Sequence, residues 1–459
     1  MSAWCRGSTP PAIDLSGSDF TGRFHTLQRR LGGGRERLPL TVSVPVGDVQ
    51  ILAWLRGQPA GRRYYWSSRD GRFELAAAGA ALRVEADSAD ATGLAYDRID
   101  GILAAAADDS LFFVGGQAFD PAGPADALWS GFPALEFTIP ATMLCRRGAT
   151  VSLVLCVAIG AQSREDAVRD ELAARLERMV LPRDAAAAVS PGAFVQRVDL
   201  PGRNDWEAGV ADTLAAVSRG AVEKVVMTRR TRLDFTRAVD PVACLETLAR
   251  ANPQCFAYLI EPRAEAAYLG LSPELLFRLE GGRLETEAIA GTAPADGAQD
   301  LLACEKNGRE HRIVLDHLVG RLTALCSRVA EPEPRRLLNL RDVAHIAVGL
   351  SGELAPDRTL GDVVAALHPT PAVCGTSPAA ALATIRRTEP FGRGWYTGIV
   401  GAIGRRRVEL AVAIRSVLVA DRRLTAFAGA GIVAGSVPAQ EWQELESKIK
   451  HVLDPFAGA

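Results

Sequence analysis

The run Glu409-Leu-Ala-Val-Ala-Ile-Arg415-Ser-Val-Leu418 constrains the fold most. It is apolar on both faces, and such a strand is stable only in a sheet covered on each side. A single cation interrupts it. A buried guanidinium needs a partner, and its planar fork matches a carboxylate bidentately. Arg415 therefore serves either a carboxylate-bearing ligand or a structural ion pair.

Further β-type runs fill the first half, at 40–44, 49–54, 63–66 and 151–159, separated by Gly or Asp turns. Helices are expected over 91–107 and 164–180. After Asp205 the pattern alternates, with helices at 206–219 and 241–250 and strands at 224–227, 255–260, 266–269, 275–279 and 283–289. A long helix follows over about 298–329, and strands 410–418 and 425–428 come near the end. Residues 1–36 mix Gly, Ser, Pro and Arg with little periodicity and are expected to be poorly ordered or loosely attached. The Ala- and Pro-rich tract 182–192 is the best linker candidate. These shifts divide the chain into 1–36, a β-rich part over 37–190 and a second part over 191–459. The β-rich part is free to join the second in one sheet system, since 459 residues suit either several domains or one large unit.

With 48% apolar and 23% charged residues the chain reads as a soluble globular protein. A net charge of −2 gives no basic surface for nucleic acid or an anionic membrane. No run approaches the roughly 18 apolar residues of a membrane span, and the first residues lack a signal-peptide core. Eight cysteines are scattered without a Cys-x-x-Cys pair, as reduced core cysteines are. A cytoplasmic location is expected.

Near the C-terminus stands Gly429-Ala430-Gly431-Ile-Val-Ala-Gly435-Ser436. Close glycine spacing frees backbone N–H groups to converge on an anion, and a helix beginning near Pro438 would add its positive end. The alternative is glycines that merely turn the chain. On the following helix Trp442, Leu445, Ile449 and Val452 form an apolar stripe. Glu441, Glu444 and Lys448 lie along its edge, while Gln443, Glu446, Ser447 and Lys450 face away. Two carboxylates at the rim of a core suit a hard cation such as magnesium, or else belong to a solvated acidic helix.

Glu310 falls on the core-facing side of the long helix with Ile313, Val314 and Leu318. It asks for a metal, or for a salt bridge such as one to Lys306. Lys224 opens an apolar strand, where a desolvated amine can act as a general base and a solvated one does nothing. Glu274, at a strand start in Leu271-Ser-Pro-Glu274-Leu-Leu, is either an acid of raised pKa or a surface carboxylate.

Eight segments in order resemble the chorismate-utilising enzymes, and among them the isochorismate synthases. They are Lys224-Val-Val-Met-Thr-Arg, Leu271-Ser-Pro-Glu-Leu-Leu, Ala288-Ile-Ala-Gly-Thr292, Glu305-Lys-Asn-Gly-Arg-Glu-His311, His368-Pro-Thr-Pro-Ala-Val, Glu389-Pro-Phe-Gly-Arg-Gly-Trp-Tyr-Thr-Gly398, Ala411-Val-Ala-Ile-Arg-Ser and the Gly429–Glu444 region. The resemblance implies an α+β fold, a large single αββα sandwich of two antiparallel or mixed sheets flanked by helices. It implies a magnesium ion held by Glu310 and Glu444 with Glu441 beside them, gripping the ring carboxylate of chorismate. Lys224 matches the base that activates water for ring carbon 2, and Glu274 the acid that protonates the departing 4-hydroxyl. Tyr396, Arg415 and the backbone of Gly429, Ala430 and Gly431 match the groups around the enolpyruvyl carboxylate. His345 matches a histidine against the ring, while Ala290, Gly291, Thr292 and Lys448 fall on motif positions near the ligand.

Ala290 stands where related aminases carry a lysine, and Ala293-Pro-Ala-Asp replaces the Arg-Pro-Arg-Gly run of anthranilate synthases. Both differences favour water as the nucleophile, with no amidotransferase subunit required and a monomer expected. A salicylate synthase, an anthranilate-synthase-like aminase and a catalytically silent binding module are the competing readings. Cys374 departs from the glycine expected there, and the loop 292–301 is short for the family.

Overall fold

The computed structural model describes residues 7–8, 15, 18–31, 36–184, 192–294, 300–339 and 343–453. Most of the expected linker and half of the 292–301 loop lie outside these residues. Every strand pairing among them is antiparallel, and apart from one two-stranded ribbon the strands form a twelve-stranded and a ten-stranded sheet. Both sheets draw on both parts of the chain. In the larger, Phe256–Arg263 pairs with Arg63–Ser67, and in the smaller, Ile399–Gly404 pairs with Phe112–Gln117. The α+β sandwich is as expected.

Two neighbouring chain segments pass together from one sheet to the other. Ala266–Ser272 lies in the larger sheet and continues, through Pro273 and Glu274, into Leu275–Glu280 of the smaller. Beside it Arg407–Val412 of the smaller sheet continues through Arg415 into Ser416–Ala420 of the larger. The crossings are bonded to each other, Val412 N–H to Glu274 O at 3.1 Å and Leu271 N–H to Arg415 O at 3.1 Å. The single strand expected over 410–418 is thus two strands. Arg415 breaks it with φ of 50°, a left-handed conformation that an L-residue holds only when its surroundings fix it.

Other expectations need correction. The segment 1–36 contains a helix, Ser18–Arg30, whose Phe20, Phe24 and Leu27 are buried at helical spacing. The run at 49–54 is not a strand: Ile51–Arg56 is a helix that buries Ile51, Trp54 and Leu55. The long helix spans Glu305–Leu325, and Cys326–Val329 is a strand instead of its last turn. Glu446 does not face away but meets the fully buried Arg229 at 2.7 Å, whose guanidinium lies 4.2 Å over Trp442.

Candidate active site

The seam between the sheets encloses one cavity, and every predicted site residue lines it except Ala430 and Glu441. The larger sheet supplies Lys224, first residue of the strand Lys224–Phe235, with its side chain 1% exposed. Its Nζ lies 2.8 Å from Glu310 Oε1 on the helix Glu305–Leu325. Glu310 is held there because Val314 and Leu318, one and two turns on, are buried. The anticipated partner Lys306 has a side chain outside the described residues.

Gly429–Gly431 belongs to the strand Arg423–Val433, which pairs with the Lys224 strand, Gly431 opposite Val226 and Gly429 opposite Thr228. This corrects the expected nest, because N–H groups in a ladder alternate in direction instead of converging. The same alternation turns Gly429 and Gly431 to the cavity and Ala430 into the core. Glycine is needed at 431 for space. A Cβ there would stand 2.5 Å from Glu310 Oε1 and 3.0 Å from Lys224 Cε.

Glu274 sits in the first crossing, 6% exposed, with its own N–H bonded to Ser272 Oγ at 3.1 Å. Burial pushes its carboxyl up to about 7; the Lys224 ammonium draws it down and the Glu287 carboxylate pushes it up. Glu274 and Lys224 open onto the same cavity.

Arg415, in the second crossing, directs Nη2 to His345 Nε2 at 3.0 Å. A guanidinium only donates, so Nε2 accepts and the imidazole proton resides on Nδ1. Nδ1 faces Gly291 O at 3.3 Å and Thr292 Oγ1 at 3.1 Å. The contact exists because the strand Arg283–Pro294 shifts register between Ala290 and Thr292, at Gly291 with φ of 76°. His345 thereby orients the guanidinium. On the third side Tyr396 stacks on Phe427, 5.0 Å between centroids and 17° between planes. Burial raises its phenol above the ordinary value, so the hydroxyl stays a neutral donor.

On the last helix, Pro438–Leu453, Lys448 Nζ meets Gly429 O at 2.9 Å and Glu444 Oε1 at 2.7 Å. Glu441, one turn earlier, is 1% exposed and stands outside the cavity lining. No group of three or more His, Cys, Asp or Glu among the described residues could enclose a metal. Two carboxylates line the cavity, Glu310 and Glu444, each paired with an ammonium, Lys224 and Lys448, and oxygen donors of this kind are the type magnesium takes. That ion binds through one or two carboxylates and takes its other oxygens from water and substrate.

The sequence singled out the charged wall and missed much of its frame. Phe427 and Thr397 line the cavity, and Arg393 and Glu389 stand behind it. The signal was present in Glu389-Pro-Phe-Gly-Arg393, opposite charges four apart among apolar neighbours.

Residues 28–456 match the family described as chorismate binding enzyme. Isochorismate synthase MenF of Escherichia coli is 29% identical over 450 residues, 94% of this chain and 97% of that protein. Isochorismate synthase 2, chloroplastic, of Arabidopsis thaliana is 30% identical over 354 residues, 73% of this chain but only 62% of that protein. The solved structure of MenF, the menaquinone-specific isochorismate synthase of Escherichia coli, superposes with a TM-score of 0.79 at 26% identity. It covers 96% of this chain and 100% of its own.

Proposed function

The chain belongs to the chorismate-binding enzyme family, and on that premise we propose that it converts chorismate to isochorismate. The observation that carries this reading is one cavity holding a buried amine, Lys224, and a buried carboxyl, Glu274, pushed up to about 7. A carboxyl raised this far holds its proton more readily than an ordinary glutamate and can donate it near neutrality.

Lys224, reacting as the free amine after its ammonium gives up a proton, takes a proton from the water that attacks ring carbon 2, and that proton returns to Glu274 by way of solvent between turnovers. The ring double bonds shift, and Glu274 gives its proton to the hydroxyl leaving carbon 4, which departs as water. One water enters and one leaves, so the net change is an isomerisation. Arg415, held by His345, grips the enolpyruvyl carboxylate with the Tyr396 hydroxyl beside it. Magnesium held by Glu310 and Glu444 would bind the ring carboxylate and withdraw its charge. Ala290 leaves room for the water where an amine side chain would fill it.

Purified protein incubated with chorismate and magnesium should form isochorismate, separable by chromatography, and chelation should stop it. Absence of isochorismate would overturn the proposal; free pyruvate as the main product would show an eliminating enzyme instead.

A further inference from the structure

Behind the cavity wall a buried ion pair closes a gap in a sheet. The strand Lys224–Phe235 is paired on one edge by Arg423–Val433 from Lys224 through Asp234. Its other edge is paired at Lys224 and Val225 by Gly375–Thr376, and from Arg230 onward by Phe194–Leu200. Between them no strand among the described residues reaches Val226–Arg229 on this edge. Other groups take the place of a strand there. Cys374 O accepts Val226 N–H at 2.8 Å, Arg393 Nη2 donates to Val226 O at 2.7 Å, and Glu389 Oε1 accepts Thr228 N–H at 2.8 Å.

Arg393 is 4% exposed, and each of its five N–H donors has an acceptor. Nε meets Glu389 Oε2 at 2.8 Å, and Nη2 shares itself between Glu389 Oε1 and Val226 O. Nη1 meets Val373 O at 2.9 Å and Thr397 Oγ1 at 3.3 Å. Val226, Val373 and Thr397 belong to three different chain segments, and all three line the active-site cavity. Thr397 has φ of 60° and follows Tyr396 directly. The guanidinium plane also lies 4.5 Å over the Phe119 ring.

We propose that the Arg393–Glu389 pair is the positioning device of this active site, fixing the strand that carries Lys224 against the turn that carries Tyr396. It touches neither the substrate nor the metal site proposed above. It rests on that reading for the identity of the positioned groups, though not for the contacts themselves. A lysine at 393 keeps the charge but brings three donors in place of five, so at least two of these bonds are lost and the planar fork that spans the three segments with them.

The test compares Arg393→Lys, Glu389→Gln and Arg393→Ala with the parent protein. Amide hydrogen exchange, which needs no substrate, should quicken at 226–228 and 396–398 in all three. In Arg393→Lys, kcat per folded molecule should fall about 10²-fold, the effect of roughly 1 Å of misplacement, with a much smaller change in KM. Arg393 also lines a second cavity of about 380 Å³ on its far side. Guanidinium ion at millimolar concentration should therefore restore part of the kcat of Arg393→Ala, and ammonium should not. Unchanged exchange at these amides, or a lower Tm with kcat and KM of the folded fraction unaltered, would overturn the proposal. A parent protein that forms no isochorismate would instead refute the assigned reaction and leave the exchange result to decide the device.

Discussion

In the proposed reaction Glu274 is the acid, and its environment sets two expectations. Glu274→Gln removes the transferable proton and keeps the shape, so turnover should fall about 10²–10⁴-fold while chorismate still binds. Stopped-flow turnover beside equilibrium binding checks this, and full activity would show that another group donates. The second expectation concerns pH. As the proposed acid the carboxyl must be protonated, so kcat/KM of the free enzyme should decline as pH rises past about 7. The Glu287 carboxylate holds that proton on, so Glu287→Gln should move the alkaline limb to lower pH. An unmoved limb in the pH profile would mean that a different group titrates. The sequence made the ionisable residues legible, because a charge inside an apolar run stands out at any depth. It left their partners open, because an ion pair such as Lys224–Glu310 joins positions far apart in the chain.

At the scale of elements, periodicity served where a run had one clear period and failed where two competed. The run at 49–54 has β-type composition, yet burial of Ile51, Trp54 and Leu55 follows helical spacing. The run at 410–418 is apolar apart from Arg415 and Ser416, and the lone cation does not announce a bend; the bonds to the neighbouring crossing at Glu274 go with it. Glycine is ambiguous in the same way, since the letters do not distinguish a turn from a need for space. Gly431 is the second case, and this can be checked. Gly431→Ala would press a methyl group on Glu310 Oε1 and Lys224 Cε. The half-saturating magnesium concentration in the activity assay should rise about tenfold, as for disturbed metal neighbours generally. The cost in stability should stay near 1–3 kcal/mol, the usual penalty for overpacking, measured by denaturant unfolding. A magnesium titration indistinguishable from the parent's would contradict this placement of Glu310.

Across the whole molecule, the two parts of the chain share both sheets and also a buried polar knot. Glu409, fully buried, accepts from Trp66 Nε1 of the first part at 3.1 Å and from Arg278 Nε of the second at 2.9 Å. Residues 192–453 produced alone would expose the edges that Arg63–Ser67 and Phe112–Gln117 cover, and unpaired edges aggregate. That fragment should be insoluble, and the entire chain should melt in one calorimetric transition. A soluble fragment with native near-ultraviolet dichroism would show that the parts fold separately. The paired crossings at Glu274 and Arg415 have one more outcome. A diacid seated between them would work as a rivet through both layers, so occupancy should stiffen the protein as a whole. Weak spots far from the pocket, at either margin of the sandwich, would then be shielded from heat and proteases whenever the cell's supply of the compound is high.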